Sequence, residues 1–126
     1  MWTDNWVGIP YGELGRGPDS YDCLGLFVTL QKLRHGREVF DPLCTVTEAA
    51  RQAIAEREKS KWTRVDRAEE GDGLLFRVRG LQLHIGYALP SGLMLHSSAD
   101  LGESAIECVG SSLWAVRLEG IYRHAA

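Results

Sequence analysis

The stretch that decides the expected fold is residues Pro18 to Leu26, with the sequence PDSYDCLGL. A loop rich in glycine and proline ends here and an apolar stretch begins, with Cys23 at the junction. A thiol in the first turn of a helix lies near the positive end of the helix dipole and near unpaired backbone N–H groups, which favours the thiolate. Because a thiolate attacks carbonyl carbons, Cys23 is a candidate nucleophile. The alternative is a small buried hydrophobic side chain, the commoner role of a free cysteine.

The chain around this junction is predicted to form an irregular loop followed by a buried helix. Residues 2–21 combine turn-forming glycines and prolines with aromatic side chains that can anchor the loop. From Asp22 to His35 the apolar residues are spaced as in a helix that is buried on most sides. Ser20 or Asp19 is expected to cap its start, and Gly36 is a natural stop.

The remainder of the chain predicts a second helix and then an antiparallel sheet. Thr45 and Glu48 have the spacing of a capping box, before a helix that runs through Ala49 to about Lys59. After Trp62 the pattern changes to short alternating segments separated by turns. The predicted strands cover residues 74–78, 81–89, 93–97, 105–109 and 120–123. The prediction is therefore one α+β domain over residues 1–126, with helices packed on a sheet of about five strands.

Composition narrows the possible functions. The 126 residues carry a formal net charge of −3, from 14 basic and 17 acidic residues, which does not favour nucleic acid or an anionic membrane as a partner. Three cysteines without a close pair argue against a disulfide framework and indicate folding in a reducing environment. No apolar run is long enough to span a membrane, and the N-terminus lacks the pattern of a signal peptide. Synthesis in the cytoplasm without a signal peptide is therefore expected.

Two histidines are the candidate partners of Cys23. His84 lies in one predicted strand and His96 in the next, on either side of the turn at residues 90–92. Cross-strand pairing places the two imidazoles side by side on one face of the sheet. A thiol, an imidazole that exchanges its proton and a polar group that orients the imidazole make up a nucleophile–base–orienter set.

Two other interpretations of the histidines are open at this point. They could bind a metal ion with Cys23 or Glu107 as a further ligand, although the spacing matches no common metal motif. They could also be two unrelated polar residues on a solvated face of the sheet. The pattern itself does not separate catalysis from this second alternative.

Five segments in order resemble the NlpC/P60 family of papain-like cysteine peptidases. Twelve positions separate Tyr11 from Cys23, and twelve separate His84 from His96, as in that family. The five segments are Pro10-Tyr11-Gly12, Tyr21-Asp22-Cys23-Leu24-Gly25-Leu26, Gly71-Asp72-Gly73-Leu74-Leu75-Phe76, His84-Ile85-Gly86-Tyr87-Ala88-Leu89 and Met94-Leu95-His96. The resemblance covers nearly the whole chain and implies a papain-like NlpC/P60 fold without metal or cofactor.

The resemblance also implies roles for individual residues. It makes Cys23 the nucleophile, His84 the general base and His96 the residue that orients His84. Tyr11 matches a tyrosine that helps to bind substrate or stabilise the oxyanion, and Asp22 matches an aspartate that contacts a substrate amino group. The backbone N–H of Cys23 is a further oxyanion donor. These roles describe a cysteine endopeptidase or amidase that acts on peptidoglycan stem peptides.

The short form and the Y-D-C-x-G-L variant most resemble members found among phage tail proteins. This implies a place at the tail tip of a virion, other tail-tip proteins as partners and a role in cell-wall penetration. A structural tail protein with little or no activity is the alternative, and acyl transfer on the same frame is a third possibility. Leu24 stands where many cell-wall members have serine. The resemblance therefore does not specify which peptide bond is cut.

Overall fold

The structure is a computed structural model that describes residues 1–44, 47–79 and 82–125. It contains three helices and six strands in this part of the chain, besides two short 3-10 turns at Trp2–Trp6 and Pro90–Gly92. The elements in chain order are α1 Cys23–His35, α2 Glu48–Glu58, β1 Trp62–Val65, β2 Gly73–Arg79, β3 Gln82–Leu89, β4 Leu93–Ser98, β5 Glu103–Cys108, α3 Ser112–Ala115 and β6 Leu118–His124.

Helix α1 begins at Cys23 and ends at His35, close to the predicted span. Its N-cap is Asp22, whose side chain accepts the Gly25 N–H, so the expected cap at Ser20 or Asp19 was wrong. An aspartate directly before the first turn satisfies an N–H group that has no helical partner. Gly36 ends the helix in the left-handed conformation with φ 68°, as its position predicted.

Helix α2 is capped by Thr47, whose hydroxyl accepts the Ala50 N–H. The capping box predicted from Thr45 falls outside the described residues. The helix extends to Glu58, which is close to the predicted end. Thr47, directly before Glu48, therefore supplies the N-cap of α2 in the described chain.

The six strands form one antiparallel sheet in the order β1-β6-β2-β3-β4-β5. The α+β prediction is confirmed, with one strand more than the five expected. The additional strand is β1, an edge strand that pairs along its length with β6. Strand β3 was predicted from Leu81, which lies outside the described residues, and it begins at Gln82.

Each face of the sheet has its own core. On one face α1 packs against β3 and β4 through a cluster that contains Phe27, Leu30, Tyr87 and Leu95. Alternation along the strands directs a second set of side chains to the opposite face, where Trp114 of α3 covers them. This second core contains Leu74, Phe76, Ala88, Met94 and Trp114.

None of the helices in residues 1–44, 47–79 and 82–125 has the length and apolar character needed to cross a membrane.

Candidate active site

The loop before α1 fixes the position of Cys23. Oδ1 of Asp22 accepts the Gly25 N–H at 2.7 Å and an N–H of Arg16 at 2.7 Å. Arg16 in turn donates to Asp41, which ties the loop to the segment after α1. A Cβ at Gly25 would lie 2.0 Å from the carbonyl oxygen of Gly15, so only glycine allows the loop to approach the helix this closely.

The Cys23 side chain is buried in a small apolar cluster. It packs with Leu24 and Leu83, and Ile85 lies at the edge of the same cluster. Burial raises the pKa of the thiol to about 11. Hydrogen bonds from the backbone of Ile85 and Leu24 act in the opposite direction but do not prevail. The thiolate expected from the helix start is therefore not the resting form, because desolvation outweighs the helix terminus.

The structure brings His84 and His96 together. Nε2 of His84 lies 2.7 Å from Nδ1 of His96, and the two rings meet edge to face. Both side chains are buried, His96 almost completely, with 1% of its surface exposed. The pair lies in the second core, where His84 stacks on Trp114 and also contacts Phe76. The two histidines are thus not independent polar residues on a wet face.

Cys23 and the histidine pair have different neighbours along strand β3. Cys23 packs with Leu83 and Ile85, and the His84 ring lies against Phe76 and Trp114. The cross-strand pairs between β3 and β4 extend from Leu89 only to Tyr87. Beyond this point the backbone of Ile85 lies beside Cys23, where it acts to lower the pKa of the thiol. Within the described chain no hydrogen bond joins Cys23 to His84, although the thiol lies against the strand that carries this histidine.

Burial determines the resting charge of both histidines. It lowers the pKa of His84 to about 3, and repulsion from Arg117 and from His96 when that ring is protonated acts in the same direction. Burial also lowers the pKa of His96, although its contact with Glu107 acts to raise it. At neutral pH both imidazoles are therefore uncharged. A neutral imidazole keeps a lone pair on one nitrogen and is able to accept a proton there.

Glu107 also contacts this histidine pair, which the sequence analysis did not predict. Its Oε2 lies 2.5 Å from Nε2 of His96 and 3.2 Å from Nε1 of Trp114. In the sequence analysis Glu107 was named only as a possible metal ligand. Both ring nitrogens of His96 are occupied by His84 and Glu107, which does not match that metal site. Among the described residues, moreover, no group of three or more His, Cys, Asp or Glu side chains is placed to hold a metal ion.

Tyr11 and Asp22 lie near Cys23, but they have different surroundings. Burial and then the charges of Cys23, Asp22 and Glu13 raise the pKa of Tyr11, which places its hydroxyl in the electrostatic environment of the thiol. Asp22 is only 4% exposed, and its contacts with Gly25 and Arg16 are internal. Its clearest role in the structure is therefore to start α1, and its contact with a substrate amino group stays a prediction.

Leu24 forms one wall of an apolar cavity of about 320 Å³ between α1, α2 and the sheet. The side chain is 1% exposed. Ile54, Leu75 and Ile85 line the same cavity and also contact the cluster that surrounds Cys23. The residue that departs from the serine of many cell-wall enzymes is therefore part of a packed apolar wall.

Comparison with solved structures shows that the chain has an NlpC/P60 fold. The NlpC/P60 domain of the peptidoglycan hydrolase SagA superposes with a TM-score of 0.66 at 20% identity, over 93% of this chain and 88% of that one. An NlpC/P60 family protein from Bacillus cereus gives 0.73 at 21% identity over 96% of this chain. A lipoprotein-like member from Staphylococcus aureus gives 0.69 at 19% identity over 94%. The chain spans 37% of each of the latter two. No family model and no curated protein matches the sequence.

Proposed function

We propose that this protein is a cysteine peptidase or amidase that hydrolyses peptide bonds of bacterial peptidoglycan. The observation that carries the proposal is the buried hydrogen-bonded pair of His84 and His96 beside the strand that Cys23 contacts. The fold supports the same conclusion, because one of the similar structures is a domain of a peptidoglycan hydrolase. Function nevertheless depends on the site and not on the fold alone.

The first step in the proposed reaction is acylation of Cys23. Because the thiol is protonated and His84 is neutral at rest, substrate binding brings the carbonyl to Cys23 while the thiol proton moves to the free nitrogen of His84. The sulfur forms a bond to the carbonyl carbon, and the resulting oxyanion accepts hydrogen bonds from the Cys23 N–H and from Tyr11. The C–N bond then breaks, and the amine leaves with the proton held by His84.

The second step is hydrolysis of the thioester. A water molecule gives one proton to His84 as its oxygen attacks the carbonyl carbon. The C–S bond breaks, the carboxylic acid product leaves, and the proton returns from His84 to the Cys23 sulfur. Catalytic groups are often far apart in a free enzyme and come closer when substrate binds. The proposed reaction needs such a shortening of the distance between the Cys23 thiol and His84.

The test is digestion of purified peptidoglycan by the wild type and by Cys23→Ala, with mass identification of the products. Cys44→Ala and Cys108→Ala are matched controls, because both of these free cysteines are exposed. We expect activity in the wild type and both controls, and loss of at least about 1000-fold in Cys23→Ala. Equal digestion by Cys23→Ala would contradict the proposal. The product masses also identify the bond and distinguish hydrolysis from acyl transfer.

We propose further that the enzyme works as part of a phage or phage-like tail and contacts other tail-tip proteins. The support is the resemblance of the segment Tyr21–Leu26 to tail members of the family. The experiment is to compare tails that carry the wild type with tails that carry Cys23→Ala, in assembly and in infection of cells with intact walls. Normal assembly with slow infection supports a catalytic tail component.

A structural tail protein is the second candidate, favoured by the state of the Cys23 thiol. The Cys23 thiol is buried, its pKa is raised, and in the described chain it makes no hydrogen bond to His84. A structural role predicts that Cys23→Ala tails infect as well as wild-type tails and that removal of the whole chain prevents assembly. The infection experiment above therefore separates the two candidates.

A further inference from the structure

We infer that Glu107 is a positioning residue that fixes the tautomers of His96 and His84, so that Nδ1 of His84 is the nitrogen that accepts the nucleophile's proton. This inference rests on the proposed function for its catalytic consequence. The arrangement of the three side chains rests on contacts in the structure alone.

The strand register places Glu107 where it reaches His96. His96 pairs with Ala105 in β5, and Glu107 lies two residues further along, on the same face. Its Oε2 lies 2.5 Å from Nε2 of His96 and also accepts the indole N–H of Trp114. The same indole stacks on His84 at 5.2 Å between ring centres. Trp114 therefore contacts both Glu107 and His84, the two ends of this series of hydrogen bonds.

The order of donors and acceptors follows from the chemistry of the carboxylate. A carboxylate only accepts hydrogen bonds, so the hydrogen in the contact with Glu107 belongs to Nε2 of His96. Neutral His96 then has its lone pair on Nδ1, which accepts the Nε2 hydrogen of His84. Neutral His84 therefore carries its own lone pair on Nδ1. Within the described chain the hydrogen bond of the His84 ring is made by Nε2, which leaves Nδ1 as the free base of the pair.

The negative charge of Glu107 also favours the protonated form of His84, against the groups that disfavour it. Desolvation and Arg117 act against a positive charge on His84, and none of the acidic side chains in the described residues is recorded in contact with its ring. When His84 takes a proton, the hydrogen bonds through His96 transmit the field of the Glu107 carboxylate to the new charge. Glu107 thus has the relation to His96 that a buried aspartate has to the histidine of a serine protease triad.

The test is ¹⁵N NMR of histidine-labelled wild type, Glu107→Ala and Glu107→Gln at pH 7. The matched control is Glu103→Ala, which removes an exposed carboxylate from the same face of the same strand. In the wild type and the control we expect Nε2–H on both His84 and His96. In Glu107→Ala we expect a mixture of tautomers at both rings. Wild-type tautomers in a folded Glu107→Ala protein would overturn the inference.

Glu107→Gln keeps the shape of the side chain and removes its charge, so it decides the question if the alanine variant does not fold. The His96 Nε2–H proton resonance should move upfield, because a neutral amide oxygen is a weaker acceptor than a carboxylate. An unchanged resonance would overturn the inference.

Kinetics give a second and separate readout. On a peptide that the wild type cleaves, Glu107→Ala should lower kcat by on the order of 100-fold with little change in KM. If kcat is unchanged although the tautomers mix, Glu107 has no catalytic effect and the inference fails. A third outcome separates the two proposals. If the tautomers mix in Glu107→Ala but the wild type cleaves no peptide, the proposed function fails and the assignment of the tautomers stands.

Discussion

Oδ1 of Asp22 lies 2.7 Å from the backbone nitrogen of Gly25, so the residue before the candidate nucleophile is the N-cap of its helix. The same oxygen accepts from Arg16, which connects the helix start to the preceding loop. The position of Cys23 therefore depends on its immediate neighbour in sequence. This gives the Asp-Cys pair a structural reason that is independent of any substrate.

Replacement of Asp22 by alanine should destabilise the fold. The Gly25 N–H loses its acceptor and Arg16 loses one of its two carboxylate partners, so we expect unfolding free energy to fall by about 1–2 kcal/mol. Urea denaturation measures the effect. Asp19→Ala is the control, because Asp19 is exposed and does not cap α1. Equal losses in the two variants would contradict the assignment of the cap.

Alkylation of Cys23 should be slow at neutral pH and should accelerate as pH rises toward the thiol pKa of about 11. Burial keeps the thiol protonated, and only the thiolate reacts. The measurement uses iodoacetamide on a Cys44→Ser, Cys108→Ser protein, with mass detection between pH 6 and 11. A rate that already reaches its plateau at pH 7 would show a resting thiolate and refute this prediction.

Placing a serine at position 24 should lower the stability of the fold. Leu24 is buried against the cavity wall, and a hydroxyl there loses apolar contacts without gaining a defined partner. We expect Leu24→Ser to lower the free energy of unfolding by about 3 kcal/mol. Leu33→Ser on the exposed side of the same helix should cost no more than about 0.5 kcal/mol. Similar costs at both positions would show that Leu24 is not part of a packed wall.

Acid should destabilise the protein through His84. Its pKa is lowered on folding from 6.5 to about 3, so the folded state binds fewer protons than the unfolded state between these values. The contribution of His84 to stability is complete above pH 6.5 and is lost as pH falls toward 3. Urea denaturation between pH 7 and 4 should give a smaller pH dependence for His84→Gln than for the wild type. An identical slope in the two proteins would argue against a buried neutral His84.

The sequence pattern predicted the helices and strands whose structure depends mainly on their own residues. The apolar run after Asp22 gave α1 with an error of one residue at its start, and the turn at residues 90–92 gave the pairing of β3 with β4. Strand β1 was missed because an edge strand of four residues owes its structure to its partner β6, which lies about 60 positions later. Its own sequence, Trp62–Val65, has little alternation in burial.

The site was predictable in its parts and not in its arrangement. The spacing of His84 and His96 around one hairpin was sufficient to predict their proximity. Their contact with Glu107 depends on the β4–β5 register, and that register follows a loop whose length and shape the pattern does not define. The state of the Cys23 thiol was missed for a different reason. The helix terminus is visible in sequence, whereas the desolvation that outweighs it comes from Leu83, sixty positions away.

Cys23 packs beside Leu83 and Ile85 of β3, while the ring of His84 between them stacks on Trp114. The junction of β3 and β4 therefore joins the two parts of the candidate site. The backbone of Ile85 lies at this junction and acts to lower the pKa of the Cys23 thiol. Opening of this junction would remove that backbone contact and separate the candidate nucleophile from the candidate base. The exchange rate of the Ile85 amide with deuterated water is therefore expected to report on opening of this junction, without substrate and without turnover.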